Sequence, residues 1–191
     1  MTQSTIHEQK KLNVAMMQDG ARRAYALPIA LHKANALSVM YTDWYDRPDK
    51  IERYLAMGLK WVAPHMASKL TARKEPQLRN ARICSWPITT LQNRLANRRY
   101  DSEADYYLYV AERDAKKIMH HQYHHANMLL GCIRNLHPKL LADARSQGII
   151  TVGDQIIAPA TEEILQAKRQ VQRWPDWQPD VIEKNVRAFV D

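Results

Sequence analysis

The sequence predicts an α/β domain: an open, doubly wound, Rossmann-like parallel sheet. Three observations predict the sheet. Residues 12–45 read as strand, tight turn, helix and strand, the βαβ module of parallel sheets. Short apolar runs then alternate with longer helix-period segments along the chain. Residues 136–159 repeat the same logic as helix, glycine, strand and polar turn. Ligands of such sheets collect at the carboxyl ends of the strands. The turns around Asp19-Gly20 and Asp154-Gln155 are therefore expected to face one crevice.

Each element follows from a local signal. Residues 1–11 are polar and read as a loose lead-in. Residues 12–17 form an apolar run around Val14, and Gln18-Asp19-Gly20 is a turn whose glycine is free to take positive φ. Leu27, Ala30, Leu31 and Ala34 recur at i, i+3, i+4, i+7, one helix face, with a kink expected at Pro28. Residues 37–41 make a second strand, and Thr42-Asp43 follow it. Residues 51–57 read as a short helix capped near Asp49, and 60–64 as a brief extended piece. Leu70 and Leu78 are the large apolar anchors of the basic, polar stretch 65–80. Residues 83–86 read as a strand ended by Pro87, and 89–99 as a basic amphipathic helix through Leu91 and Leu95. Asp101 or Ser102 caps a helix running to about Met119. A central strand is expected at 127–133, a helix at 136–147 stopped by Gly148, and the clearest buried strand at 149–152, which is β-branched. A helix over 161–173 with Thr161 as N-cap, a Pro/Trp break at 174–179 and a short last helix at 180–190 complete the chain. In domain terms, 1–11 is lead-in, 12–175 the Rossmann-like domain, and 176–191 a terminal helix or the start of a linker.

The chain has 191 residues, enough for one domain with a sizeable core, and 46% of them are apolar. No run approaches the roughly 20 apolar residues of a membrane span, and the polar residues 2–11 lack an apolar signal core, so secretion is not expected. Cys84 and Cys132 lack metal or redox spacing, which suits a reducing cytosol. A cytoplasmic location is expected, with peripheral contact at the inner face of the membrane as an option. The formal charge of +8 favours anionic partners without choosing among them. The basic residues are dispersed, with no long Lys/Arg tail and no aromatic ladder of the single-strand-binding type. No specific nucleic-acid partner is expected.

Two stretches resemble a known family. Residues 13–45, with the Gly20, Arg22, Tyr25 turn and the strand ending in Tyr41-Thr42-Asp43, resemble the opening of bacterial GT-B glycosyltransferases of the group often called family 4. Residues 115–177 are similar to the end of the same domain: a helix, Gly148, a Thr151-Val152 strand, Asp154-Gln155, Ala158-Pro159, and an acidic helix closing at Trp174-Pro175-Asp176-Trp177. The resemblance spans about residues 12–177 and is weakest over 64–99. It implies the acceptor-binding domain of an enzyme that moves a sugar from a nucleotide sugar to a sugar or lipid-linked acceptor, with no cofactor and no required metal. It also implies a donor-binding domain, here a missing part or a separate donor-domain chain. The rival reading is a non-catalytic α/β module that docks a partner protein or an anionic membrane.

Candidate site residues follow from placement and resemblance together. Gly20, Arg22 and Arg23 stand where free helix N–H groups and bidentate guanidinium donors can meet a diphosphate or a phosphorylated acceptor. The competing reading is a turn glycine with solvated arginines. Asp154 and Asp19 are the candidate catalytic bases on an acceptor hydroxyl; the alternative is a turn-stabilising carboxylate. Thr42, Asp43 and Gln155 line the cleft in the same picture. The resemblance adds Tyr25 from the turn motif and His125 as a histidine near the acceptor. His120, His121, His124 and His125 hold helix-compatible i, i+4 spacing for a transition metal, but no nearby carboxylate completes a site, and a polar surface turn is the preferred reading. Trp174 and Trp177 are expected to pack the last helices. The cations at 69–82 and 94–99, beside Leu91 and Leu95, suit either an anionic bilayer or plain solvation.

Overall fold

The computed structural model describes residues 11–96, 99–100, 103–155 and 160–176. The expected lead-in before Lys11, the cap at Asp101 or Ser102, Pro159, Trp177 and the last helix lie outside the described residues. Five strands occur among them: β1 (Val14–Met17), β2 (Leu37–Thr42), β3 (Ile83–Ser85), β4 (Met128–Cys132) and β5 (Ile150–Asp154). They form one all-parallel sheet in the order β3-β2-β1-β4-β5. The chain therefore runs outward from β1 to β3, returns across the sheet, and runs outward again from β4 to β5. The order reverses between β1 and β4, and a parallel sheet opens a crevice at that point.

Helices α1 (Ala26–Lys33), α2 (Ile51–Val62), α3 (Pro64–Thr71), α4 (Pro87–Ala96), α5 (Glu103–His120), α6 (Pro138–Ser146) and α7 (Ala160–Arg173) connect or follow the strands. Successive strand side chains point to opposite faces, and the core divides accordingly. Ala15, Met17, Val39, Tyr41 and Leu129 pack with Ala115 and Ile118 of α5 and with Leu140 and Ala144 of α6. Met40 turns the other way, into a cluster with Tyr25, Tyr45, Leu78 and Ile29 of α1. Trp44, Ala56 and Leu70 seal α2 and α3 together, with Leu91 against them. All four residues of β1 are buried, as a central parallel strand requires.

Several expectations change. Pro28 is the third residue of α1, in the first turn, where its missing N–H has no intrahelical acceptor to lose. It is buried and produces no interior kink. The buried side of α1 runs through Tyr25, Pro28 and Ile29, while Ala30 and Ala34 are exposed, so the apolar stripe is shifted from the expected phase. Residues 60–62 end α2 and Pro64 opens α3, with Ala63 at φ −147° as the break between them, so no separate extended piece forms at 60–64. Asp49 pairs with Lys50 at 3.7 Å and does not cap α2. Thr161 lies inside the first turn of α7. β5 is an edge strand with Ile150 60% exposed, so its β-branched run reports strand propensity rather than burial. No described helix is long and apolar enough to cross a membrane.

Candidate functional site

At the carboxyl edge, β1 delivers the chain into the turn Gln18-Asp19-Gly20. Gln18 is buried and holds the turn from within: its amide donates to the carbonyls of Gly20 and Arg22 at 3.2 and 3.3 Å. Gly20 adopts φ 67°, a left-handed conformation suited to a residue without Cβ. Its N–H donates to Asp43 Oδ1 at 2.8 Å from the tip of β2. Arg73 closes the arrangement from above, forming an ion pair with Asp43. Thr90 Oγ1 donates to the Asp43 carbonyl at 2.7 Å. Asp43 thus ties β2, α4, Arg73 and the β1 turn into one rigid tip.

The crevice opens beside that tip, between β1 and β4, with a volume of about 460 Å³. Met16, Met17, Leu130 and Gly131 form its floor, and Arg22, Arg23 and Leu27 one wall. Asp19 and Asp154 contribute the carboxylates and Cys132 a thiol. Arg23 Nη1 lies 3.8 Å from Asp154 Oδ2, so the turn after β1 and the end of β5 meet across the crevice. The single groove expected from the two polar turns is present.

Asp19 is the electrostatically distinctive group. Asn135 donates through Nδ2 to its carboxylate from the start of the α6 connection. Burial raises its pKa to about 7, with the Asp43 and Asp114 carboxylates adding to the rise and the Arg22 and Arg73 guanidinium groups opposing it. Asp114 is buried on α5, and burial pushes it up to about 6 against the pull of Lys117, whose Nζ is 3.5 Å away. Burial in turn lowers Lys117, which also lies 4.7 Å from the centre of the Trp86 ring. Asp19 and Asp114 therefore share one low-polarity region at the crevice, and the nearby Asp43 carboxylate disfavours the ionisation of both.

The other expected residues distribute unevenly. Arg22, Arg23, Asp19 and Asp154 line the crevice, whereas Gly20 shapes the turn and the exposed Gln155 follows Asp154, neither lining it. Thr42 is 1% exposed and donates to Asp43 Oδ1 at 3.3 Å, so Thr42 and Asp43 support the turn from behind rather than line the groove. Tyr25 is buried under α1, edge-on to Tyr45 at 5.6 Å, and belongs to the core. His125 lies away from the groove. Its carbonyl accepts from Asn13 Nδ2 at 3.1 Å, just before β1, which places it at the amino edge of the sheet. α5 ends at His120, so the helical i, i+4 spacing of the four histidines does not form. His124 instead stacks on Tyr41 at 6.0 Å and contacts Arg82 Nη1 through Nδ1 at 3.2 Å. Its pKa is lowered by burial and by Arg82. Among the described residues no three His, Cys, Asp or Glu side chains gather to hold a metal.

Four contributors carried no motif. Gly131 is close-packed: a Cβ there would lie 3.0 Å from Leu136 Cδ2 and 3.3 Å from Met17 Cβ. Arg73 was hidden in a uniformly basic stretch, and Asn135 in a short connection. Asp114 did leave a signal, a carboxylate within the buried stripe Ala111, Ala115, Ile118. No family model, curated protein or solved structure matches the chain.

Proposed function

We propose that this chain is the acceptor-side domain of a nucleotide-sugar-dependent glycosyltransferase of GT-B type. One observation carries the reading: Asp19, Arg22, Arg23 and Asp154 converge on a single crevice where the strand order reverses. The resemblance of residues 13–45 and 115–177 to that group supplies the substrate class. A nucleotide-binding lobe facing the same edge completes the cleft.

In the reaction, Asp19 accepts the proton of an acceptor hydroxyl. A carboxylate with a pKa of about 7 is half ionised near neutrality and has the driving force to hold that proton. The hydroxyl oxygen forms its bond to the anomeric carbon as the bond from that carbon to the diphosphate breaks. The nucleoside diphosphate leaves with the electron pair. Arg22 and Arg23 offset the charge that grows on the diphosphate, with Asp154 3.8 Å from Arg23 across the crevice. No metal or cofactor takes part in these steps.

The test is transfer from labelled nucleotide sugars to polysaccharide and lipid-linked acceptors by the protein assembled with its nucleotide-binding lobe. Transfer that falls in Asp19→Asn and Arg23→Ala supports the proposal. Full transfer rates in both Asp19→Asn and Asp154→Asn overturn the assignment of the base. Absence of transfer, together with absence of saturable binding to such a lobe, overturns the function.

A further inference from the structure

We propose that the outer face of α2 docks this protein on an anionic lipid bilayer. The helix is apolar on two sides. Leu55, Ala56 and Leu59 face inward against Trp44 and Leu70. On the outside, Trp61 is 91%, Val62 79% and Tyr54 68% exposed, with Ile51 and Met57 each 51% exposed beside them. A contiguous exposed patch of this kind on one helix marks an interaction surface.

Charge selects the occupant. Residues 49–75 hold six Lys or Arg and three acids, and Lys50, Arg53 and Arg73 are ion-paired with Asp49, Asp46 and Asp43, so Lys60, Lys69 and Lys74 carry the charge of this face. Glu52 is buried and accepts a hydrogen bond from Ser85, so it offers no charge at the surface. Beside the apolar face, Lys60 and Lys74 converge with Ser68 and Thr71 on a cavity of about 480 Å³ between α2 and α3, which Arg53, held by Asp46 at 3.0 Å, also lines. Those cations and hydroxyls suit the phosphate of a lipid headgroup, while Trp61 and Tyr54 suit the boundary between headgroups and acyl chains. A second copy of the chain docked about a two-fold axis would set this cationic rim against itself, which disfavours self-association. The anionic bilayer satisfies both the apolar face and its rim.

This docking is independent of the sugar-transfer reading, and its test uses binding alone. The full chain is sedimented with vesicles of phosphatidylcholine, and with vesicles of equal parts phosphatidylcholine and phosphatidylglycerol. The protein is expected to sediment with the anionic vesicles and to be released by salt. The pair Met57→Ser and Trp61→Ser should weaken partition by about tenfold or more, as should Lys60→Gln with Lys74→Gln. Thermal midpoints check that these exposed substitutions leave the fold intact. A second readout needs no loss of partition: brominated acyl chains should quench the fluorescence of the wild type, and Trp61→Phe should lose most of that quenching. Failure to bind anionic vesicles, unchanged partition of the serine pair, or undiminished quenching in Trp61→Phe each overturns the proposal. So does a concentration-dependent dimer, or a soluble acidic protein partner, that the serine pair abolishes in the absence of vesicle binding.

Discussion

Asp19 combines a position in the crevice with a proton affinity set by its surroundings. Under the proposed sugar transfer, Asp19→Asn should lower the rate by about 10²-fold or more, the usual contribution of a positioned base. The wild-type rate should rise with pH through a midpoint of about 7; a flat profile there would assign the base elsewhere. Stability moves in the opposite direction. Asp19 and Asp114 both have folded pKa values above the ordinary value of 3.8, at about 7 and about 6, so both bind a proton more tightly folded than unfolded. Their stabilising contribution is complete below the unfolded value and is lost as pH rises through 6 and 7. Urea midpoints of the wild type relative to Asp114→Asn should therefore fall as pH is raised from 4 to 7; a relative increase would contradict the shared low-polarity region. The crevice carboxylates and arginines were legible in the sequence because they directly follow strand ends, which a parallel sheet brings to one edge. Tyr25 and His125 were not, since an aromatic after a turn and a histidine before a strand can face either way.

At the level of the elements, strand positions were legible to within a residue or two from apolar runs alone. Burial was not. The β-branched run at 149–152 reads as interior, yet strand order puts it at the sheet edge, and strand order arises from long-range pairing that no local window contains. Ile150→Thr should accordingly cost less than about 1 kcal/mol. Met40→Ala, at a site with no exposure, should cost about 2–5 kcal/mol. The phase of α1 was misread for a related reason: the stripe through Leu27 and Ala30 is as regular as the one actually buried, and only the packing of Tyr25 against Tyr45 and Met40 decides between them. Gly131→Ala should cost about 1–3 kcal/mol by overpacking against Leu136 and Met17. Thermal denaturation of the three variants would rank them; a silent Gly131→Ala would mean that β4 and the residues after it yield easily.

For the molecule as a whole, the sheet carries a gradient of protection. β1 is paired on both sides and fully buried, while β3 and β5 have one neighbour each. Amide exchange should be slowest in β1, β2 and β4, and faster by orders of magnitude in β5. Equal exchange rates across the five strands would contradict this order.

The central pairing has a kinetic consequence. Asn13 N–H bonds to the Asn127 side chain across 114 positions of sequence, at the point where β1 meets β4. During synthesis the first strand emerges with one flank unsatisfied and waits for most of the chain before its second neighbour arrives. Such distant closure slows folding and leaves adhesive backbone exposed meanwhile. A nascent chain arrested before Met128 should bind holdase chaperones far more strongly than one arrested after Asp154.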